Sequence, residues 1–202
     1  MMLPVLLLAG VPGEAADEEE RRLIEKARQG DREAFGEIVK RYQKRVFRVA
    51  RRMTRSDDDA WDLTQEAFIR AMNAMPGFDP RYRFFTWIYR IVTNLSINLT
   101  RKRERASEVR YEEEYGADGQ LASCEDHSGR LHAAELADAI ENAVSRLSPP
   151  LRAVFVLRVD QQLSYAEIAE TLGIAMGTVM SRLNRAREKV RDSVSHLIEE
   201  SP

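Results

Sequence analysis

Apolar side chains recur along this chain at every third or fourth position, and a sustained two-residue alternation is absent, so the elements it predicts are helices. Residues 31–54, DREAFGEIVKRYQKRVFRVARRMT, place Phe35, Ile38, Val39, Tyr42, Val46, Val49 and Met53 on one stripe behind Asp31, a good N-cap. Before it, DEEERRLIEKARQG predicts a short helix closed by Gly30. After it, SDDDAWDLTQEAFIRAMNAM starts at Ser56 with three aspartates, favourable against the helix dipole, and stops before Pro76–Gly77. A loop, PGFDPRYR, leads into FFTWIYRIVTNLSINLTRKR. From 106 to 129 the periodicity fades into small and acidic residues, the composition of a flexible linker. Helical patterns then resume in ELADAIENAVSRL, in SPPLRAVFVLRV with prolines suited to a first turn, in SYAEIAETLG and in MGTVMSRLNRAREKVRDSVSHLIEE. The fold class expected is all-α: two small helical domains, 20–105 and 135–202, joined by a flexible acidic linker, 106–134.

Charge sharpens that division. The net charge of −2 hides a basic block: residues 21–105 carry 21 basic and 11 acidic side chains, whereas residues 1–20 and 106–134 are each net −5. A basic block between acidic segments points to a polyanion-binding face. The single cysteine, Cys124, rules out an internal disulfide and fits a reducing compartment. The opening MMLPVLLLAGVPGEAA has too short an apolar run for a membrane span and lacks the basic start of a signal peptide, so residues 1–19 are expected to form a disordered tail.

The C-terminal block carries the more familiar chemistry. Ser164 to Glu167 reads as a capping box, and the short helix it opens ends at Leu172–Gly173 before a longer basic helix. A short helix, a glycine-containing turn and a long helix form a helix-turn-helix signature. At about 100° per residue, Val179, Leu183, Ala186, Val190 and Leu197 share one stripe. Ser181, Asn184 and Arg185 fall opposite it and suit base edges, with Thr178 beside them; Arg182, Arg187, Lys189 and Arg191 flank that face and suit phosphates. An ordinary amphipathic surface helix is the plainer alternative.

Residues 84–103 pose a different problem. Phe84, Ile88, Ile91, Val92, Leu95 and Leu99 form a core stripe, while Trp87, Arg90, Asn94, Asn98 and Arg101 share an adjacent face. The preceding loop adds Phe78, Tyr82 and Phe85. Any one of these aromatics is more often core. As a set, beside the basic cap RKRER, they offer the stacking faces, amides and guanidiniums that unpaired bases require. No Gly-rich phosphate loop, nucleophile motif or HExxH is present. The acids of SDDDAWD are explained by helix capping more simply than by a Mg²⁺ site, and Cys124, His127 and His132 lack a fourth zinc ligand. No metal and no cofactor is expected.

Residues 31–54, 62–78 (DLTQEAFIRAMNAMPGF), 84–103 and 163–190 (LSYAEIAETLGIAMGTVMSRLNRAREKV) together resemble, in order, the motifs of extracytoplasmic-function (ECF, group IV) sigma factors, the minimal bacterial transcription initiation factors. The resemblance implies a cytoplasmic, non-enzymatic protein that directs core RNA polymerase to promoters. Asp62, Leu63, Gln65, Glu66 and Phe68 would bind the polymerase clamp helices, and the second domain would meet the flap. Phe78, Tyr82, Phe85, Trp87, Arg90, Asn94, Asn98 and Arg101 would melt and read the minus-ten element, with Phe78 and Asn94 lining a pocket for a flipped base. Thr178, Ser181, Arg182, Asn184, Arg185 and Arg187 would read the minus-thirty-five element. The linker would thread toward the RNA exit path. The family also implies an anti-sigma partner, no membrane insertion, and a free monomer whose domains move about the linker. Trp61, Ala175 and Met180 depart from the family's usual residues. A helix-turn-helix regulator that never engages polymerase is the alternative; it leaves DLTQEAF and the aromatic–amide face unexplained. A purely structural helical protein explains neither the segregated charge nor the basic helix.

Overall fold

The computed structural model describes residues 14–111 and 130–199. Most of the expected tail and linker, with Cys124 and His127, lie outside the described residues, as does the side chain of His132. The described residues form eight α-helices and one short 3-10 turn, with no strand among them. The first unit contains α1 (Glu14–Arg28), α2 (Arg32–Thr54), α3 (Asp57–Ala74), the 3-10 turn Met75–Gly77 and α4 (Phe84–Tyr111). The second contains α5 (Arg130–Ser145), α6 (Pro149–Val159), α7 (Tyr165–Leu172) and α8 (Met176–Glu199).

The helix boundaries follow local chemistry. Asp31 accepts hydrogen bonds from the amides of Glu33 (2.9 Å) and Ala34 (3.0 Å), two of the donors that the first turn of α2 leaves without helical partners. Ser56 does the same for Asp59 at the start of α3 (3.2 Å). Gly30 takes a φ of +94°, the left-handed conformation that lets the chain leave α1 and re-enter α2. Two boundaries differ from the sequence reading. Helix α1 begins at Glu14, three residues before the predicted helix DEEERRLIEKARQG, and Glu19 pairs with Arg41 (2.8 Å) while Glu20 accepts the Tyr42 hydroxyl (2.8 Å), docking α1 on α2. Helix order also enters the expected linker from both sides, to Tyr111 and from Arg130.

The predicted stripe of α2 is buried, except that Val39 is only half-buried; Ile38, Val46, Val49 and Met53 meet Phe84, Ile88 and Val92 of α4. Each such apolar side chain contributes about 1.5–3 kcal/mol on burial. Removing one, as in Ile38→Ala, would cost about 2–5 kcal/mol. Helix α6 is of another kind. Arg152 through Leu157 are all buried, because α7 and α8 cover one side while α2 and α4 of the first unit cover the other.

The two units pack together in this structure. The reason lies in α6, whose apolar surface runs all the way round. Arg52 pairs with Asp160 (2.8 Å), the Tyr89 hydroxyl donates to Gln161 (2.9 Å), and Arg55 donates to Asn142 (2.8 Å) and Ser145 (2.9 Å). Buried Arg152 donates to the carbonyls of Met53 (2.6 Å) and Leu147 (2.9 Å), and to that of Ser145. One guanidinium thus caps the C-terminal ends of α2 and α5 together.

Candidate nucleic-acid interface

Helix α4 and the loop before it build the principal cleft. The Asp79 side chain accepts the Arg81 amide (3.0 Å) and pairs with its guanidinium, and the Tyr82 amide bonds to the Asp79 carbonyl (3.1 Å). Arg81 holds the Asp79 carboxyl below the usual carboxylate range. This turn presents Tyr82 more than half exposed, while Phe78 just before the turn is buried. Phe78 packs against Trp87 (centroids 4.8 Å) and edge-on against Phe84 (5.9 Å), and Trp87 meets Phe84 edge-on (5.6 Å). These rings anchor a cleft of about 640 Å³ that Tyr82, Asn73 and Arg90 complete, with Glu170 of α7 at its edge. An aromatic wall, an amide and a guanidinium in an open cleft of that size can take a base by stacking and its phosphate by charge.

The remaining predicted residues divide. Asn94, Asn98 and Arg101 lie along the same helix but line a second cleft, about 330 Å³, which Arg182 of α8 also faces. Asn94 therefore does not join Phe78 in one pocket, because two full turns of α4 separate Trp87 from Asn94. Phe85 also departs from the set. It lies two residues from Trp87, roughly 200° round the helix, and packs on Tyr89 (6.1 Å) with the Arg83 guanidinium over its ring (5.7 Å). Burial pushes the Tyr89 hydroxyl up to about 12.

On α3, Asp62 and Gln65 are exposed, and Leu63 and Glu66 are half-buried, with Glu66 paired to Arg70 (2.7 Å). Phe68 is buried at 7% exposure beside Ala67 and Ala71, so it supports the core instead of offering a contact. Beside Asp62 and Gln65 stand Ile69 and Met72, which the sequence reading did not assign to this face, and Trp61 (51% exposed), which it noted as a departure from the family. Helical spacing carried that signal, since 61, 65, 69 and 72 share one face. Trp61 packs on Phe47 with the rings tilted (centroids 4.5 Å).

In the second unit both halves of the capping box form, Glu167 to the Ser164 amide (2.8 Å) and Ser164 to the Glu167 amide (3.2 Å). Gly173 takes a φ of +65° and closes α7. Three residues later α8 begins, burying Val179, Leu183, Ala186, Val190 and Val194; the Leu197 side chain lies outside the described residues. Ser181, Asn184, Arg185 and Arg187 are exposed, and Thr178 and Arg182 are half-buried. Met176 and Met180 are also exposed at the start of α8, where apolar side chains can meet thymine methyl groups. Among the described residues no group of three His, Cys, Asp or Glu side chains could hold a metal, and no helix is long and apolar enough to cross a membrane.

Comparison with known proteins agrees with this two-unit layout. Residues 38–106 match the Sigma-70 region 2 family and residues 137–190 the Sigma-70 region 4 family. The ECF RNA polymerase sigma factor SigW of Bacillus subtilis is 32% identical over 190 residues, spanning 88% of this chain and 97% of the relative. The ECF RNA polymerase sigma-E factor of Escherichia coli K12 is 34% identical over 181 residues, spanning 87% and 94%. Among solved structures, CnrH in complex with the cytosolic domain of CnrY superposes with a TM-score of 0.64 at 26% identity, covering 91% of this chain and 99% of CnrH. The sigma factor RpoE of Bartonella quintana, solved with the anti-sigma factor NepR, shares the fold at a TM-score of 0.60 and 21% identity, over 83% and 98% of the two chains.

Proposed function

The chain belongs to the ECF RNA polymerase sigma factors, and from that premise we propose how its residues divide the work of promoter-directed transcription initiation as a group IV factor. The function itself needs no active site in this chain, since the polymerase carries out the chemistry. The observation that carries the division is the aromatic–guanidinium cleft on α4 in the region 2 unit, edged by Glu170 of α7, together with the capped helix-turn-helix in the region 4 unit. A regulator confined to helix-turn-helix binding leaves the region 2 match without a purpose.

The α3 face with Asp62, Gln65 and Glu66 binds the clamp helices of core polymerase, with Leu63 supporting it, and Trp61, Ile69 and Met72 extend it with apolar surface. The cleft of Phe78, Tyr82, Trp87 and Arg90 accepts an unpaired base of the minus-ten element, and Asn94, Asn98 and Arg101 follow the strand beyond it. The start of α8, with Thr178, Ser181, Arg182, Asn184, Arg185 and Arg187, enters the major groove at the minus-thirty-five element while the region 4 unit meets the flap. The protein works in the cytoplasm as a monomer when free. An anti-sigma partner is supported by the sigma factor RpoE, solved with the anti-sigma factor NepR.

Co-purification with core polymerase tests this division. Asp62→Ala with Gln65→Ala abolishes polymerase binding yet leaves duplex binding by the α8 face unchanged. Retained polymerase binding in that double variant would remove α3 from the proposal.

A further inference from the structure

Large apolar side chains left exposed on a folded chain are informative where they cluster. Those that stand out among the described residues are Trp61, Ile69 and Met72 on α3, Tyr82 in the α4 cleft, Val159 at the end of α6, and Met176 and Met180 at the start of α8. The first four lie on the faces assigned above to polymerase and to the unpaired strand. The two methionines, 50% and 40% exposed, form a separate pair. They are four residues apart, so they share one side of the helix and stand about 6 Å apart along its axis. That is close to two base-pair steps of about 3.4 Å in duplex DNA. Round the helix, the exposed arc runs from these thioethers to the Asn184 amide, the Ser181 hydroxyl and the Arg185 guanidinium. The arc is open: Arg90 of α4 is satisfied by the Thr171 carbonyl of α7 (3.2 Å) and Arg182 faces the second α4 cleft, whereas these five side chains remain exposed. Gly177 lies between the methionines. A Cβ there would meet nothing within 4 Å, and its φ is not left-handed, so the fold itself does not require glycine. Glycine weakens a helix relative to alanine. Its missing side chain lets an outside surface come close to the first turn of α8.

We propose that Met176 and Met180 are specificity-determining residues that read the 5-methyl groups of thymines in the minus-thirty-five element. This rests on the reading of α8 as the major-groove helix. Amides, hydroxyls and guanidiniums read base edges by hydrogen bonds, and the thymine methyl is the apolar feature of the major groove. A thioether side chain is unbranched and polarisable, so it packs on such a methyl with no hydrogen bond to satisfy. Uracil lacks the methyl but keeps every hydrogen-bonding group of thymine, so exchanging the two isolates this contact. Burial of one methyl corresponds to about fourfold in affinity.

The probe is a duplex pool with a randomised segment, bound by holoenzyme assembled from the full-length chain and bacterial core polymerase. The enriched duplex is resynthesised with uracil for each thymine of its minus-thirty-five block in turn, and affinity is measured by competition filter binding. At one or two positions uracil is expected to weaken binding by about fourfold. Met176→Ala with Met180→Ala is expected to bind the thymine duplex more weakly and to lose the discrimination at those positions. Both side chains are exposed and alanine is a good helix former, so folding is preserved. A block without thymine, no uracil effect, or an undiminished effect in the double variant overturns the proposal. Arg185→Ala separates this result from the reading of α8. If that variant binds more weakly while the parent shows no uracil effect, the methyl contact is lost but α8 stays in the groove. Unchanged binding by Arg185→Ala removes α8 from the element, and the proposal with it.

Discussion

Replacing Arg152 by methionine exposes the cost of joining the two units through a buried cation. Arg152 is 6% exposed, and its guanidinium donates to Met53 of α2, to Ser145 at the end of α5 and to Leu147 just after it. Methionine preserves much of the side-chain volume but none of the donors. Three carbonyls at two helix ends then face apolar surroundings. Each charge-assisted bond is worth about 1.5–3 kcal/mol and each buried carbonyl left unpaired costs about 1–3 kcal/mol, offset in part because a cation is no longer buried, so the net loss is about 3–5 kcal/mol. At about 2–4 °C per kcal/mol for a cooperative chain of this size, the melting temperature falls by roughly 10 °C. Arg152→Lys keeps the charge, but its single ammonium cannot serve three carbonyls in a fixed fork, so it falls between the two. Differential scanning calorimetry at neutral pH reads both. A fall of less than about 3 °C for the methionine variant would refute the assignment of Arg152 as the cap shared by α2 and α5.

Tyr89→Phe is expected to change how stability varies at alkaline pH. The buried phenol titrates near 12 in the folded chain and about 10 when unfolded, so its stabilising contribution is complete below about pH 10 and is lost as pH rises toward about 12. Removing the hydroxyl shallows the alkaline fall in unfolding free energy by about 1.4 kcal/mol per pH unit in that window, read as a shallower fall in melting temperature, with part of the residual slope coming from Tyr42, whose burial also raises it. An identical slope in the variant contradicts this. Met180→Lys adds a cation at the exposed start of α8, so the dependence of log affinity on log salt for duplex DNA steepens by about one. An unchanged slope would place Met180 away from the phosphates.

Much of the helical framework was legible because its causes are local. Asp31, Ser56, Ser164 with Glu167, and Gly173 each fix a helix end within a few residues of themselves. The α2 and α8 stripes were legible because helical spacing alone determines which side chains share a face. The burial of Phe68 and the packing of Phe85 on Tyr89 were not legible, because spacing does not say which face is covered by a neighbour. The packing of the units was missed even though its signal stood in the sequence: AVFVL in α6 is five consecutive apolar residues, which at helical spacing cover every side and must be buried all round. The pairing of Arg90 with α7 was not legible, since it joins residues about eighty positions apart through backbone carbonyls, which leave no trace in side-chain pattern.

Run-off transcription with purified bacterial core polymerase tests the assignment of promoter-directed initiation most directly, using fragments of the source genome with and without this protein. Discrete transcripts that appear only with the protein, and vanish with Asp62→Ala and Gln65→Ala, are the predicted result. Failure to produce any transcript or to co-purify with core enzyme would contradict it.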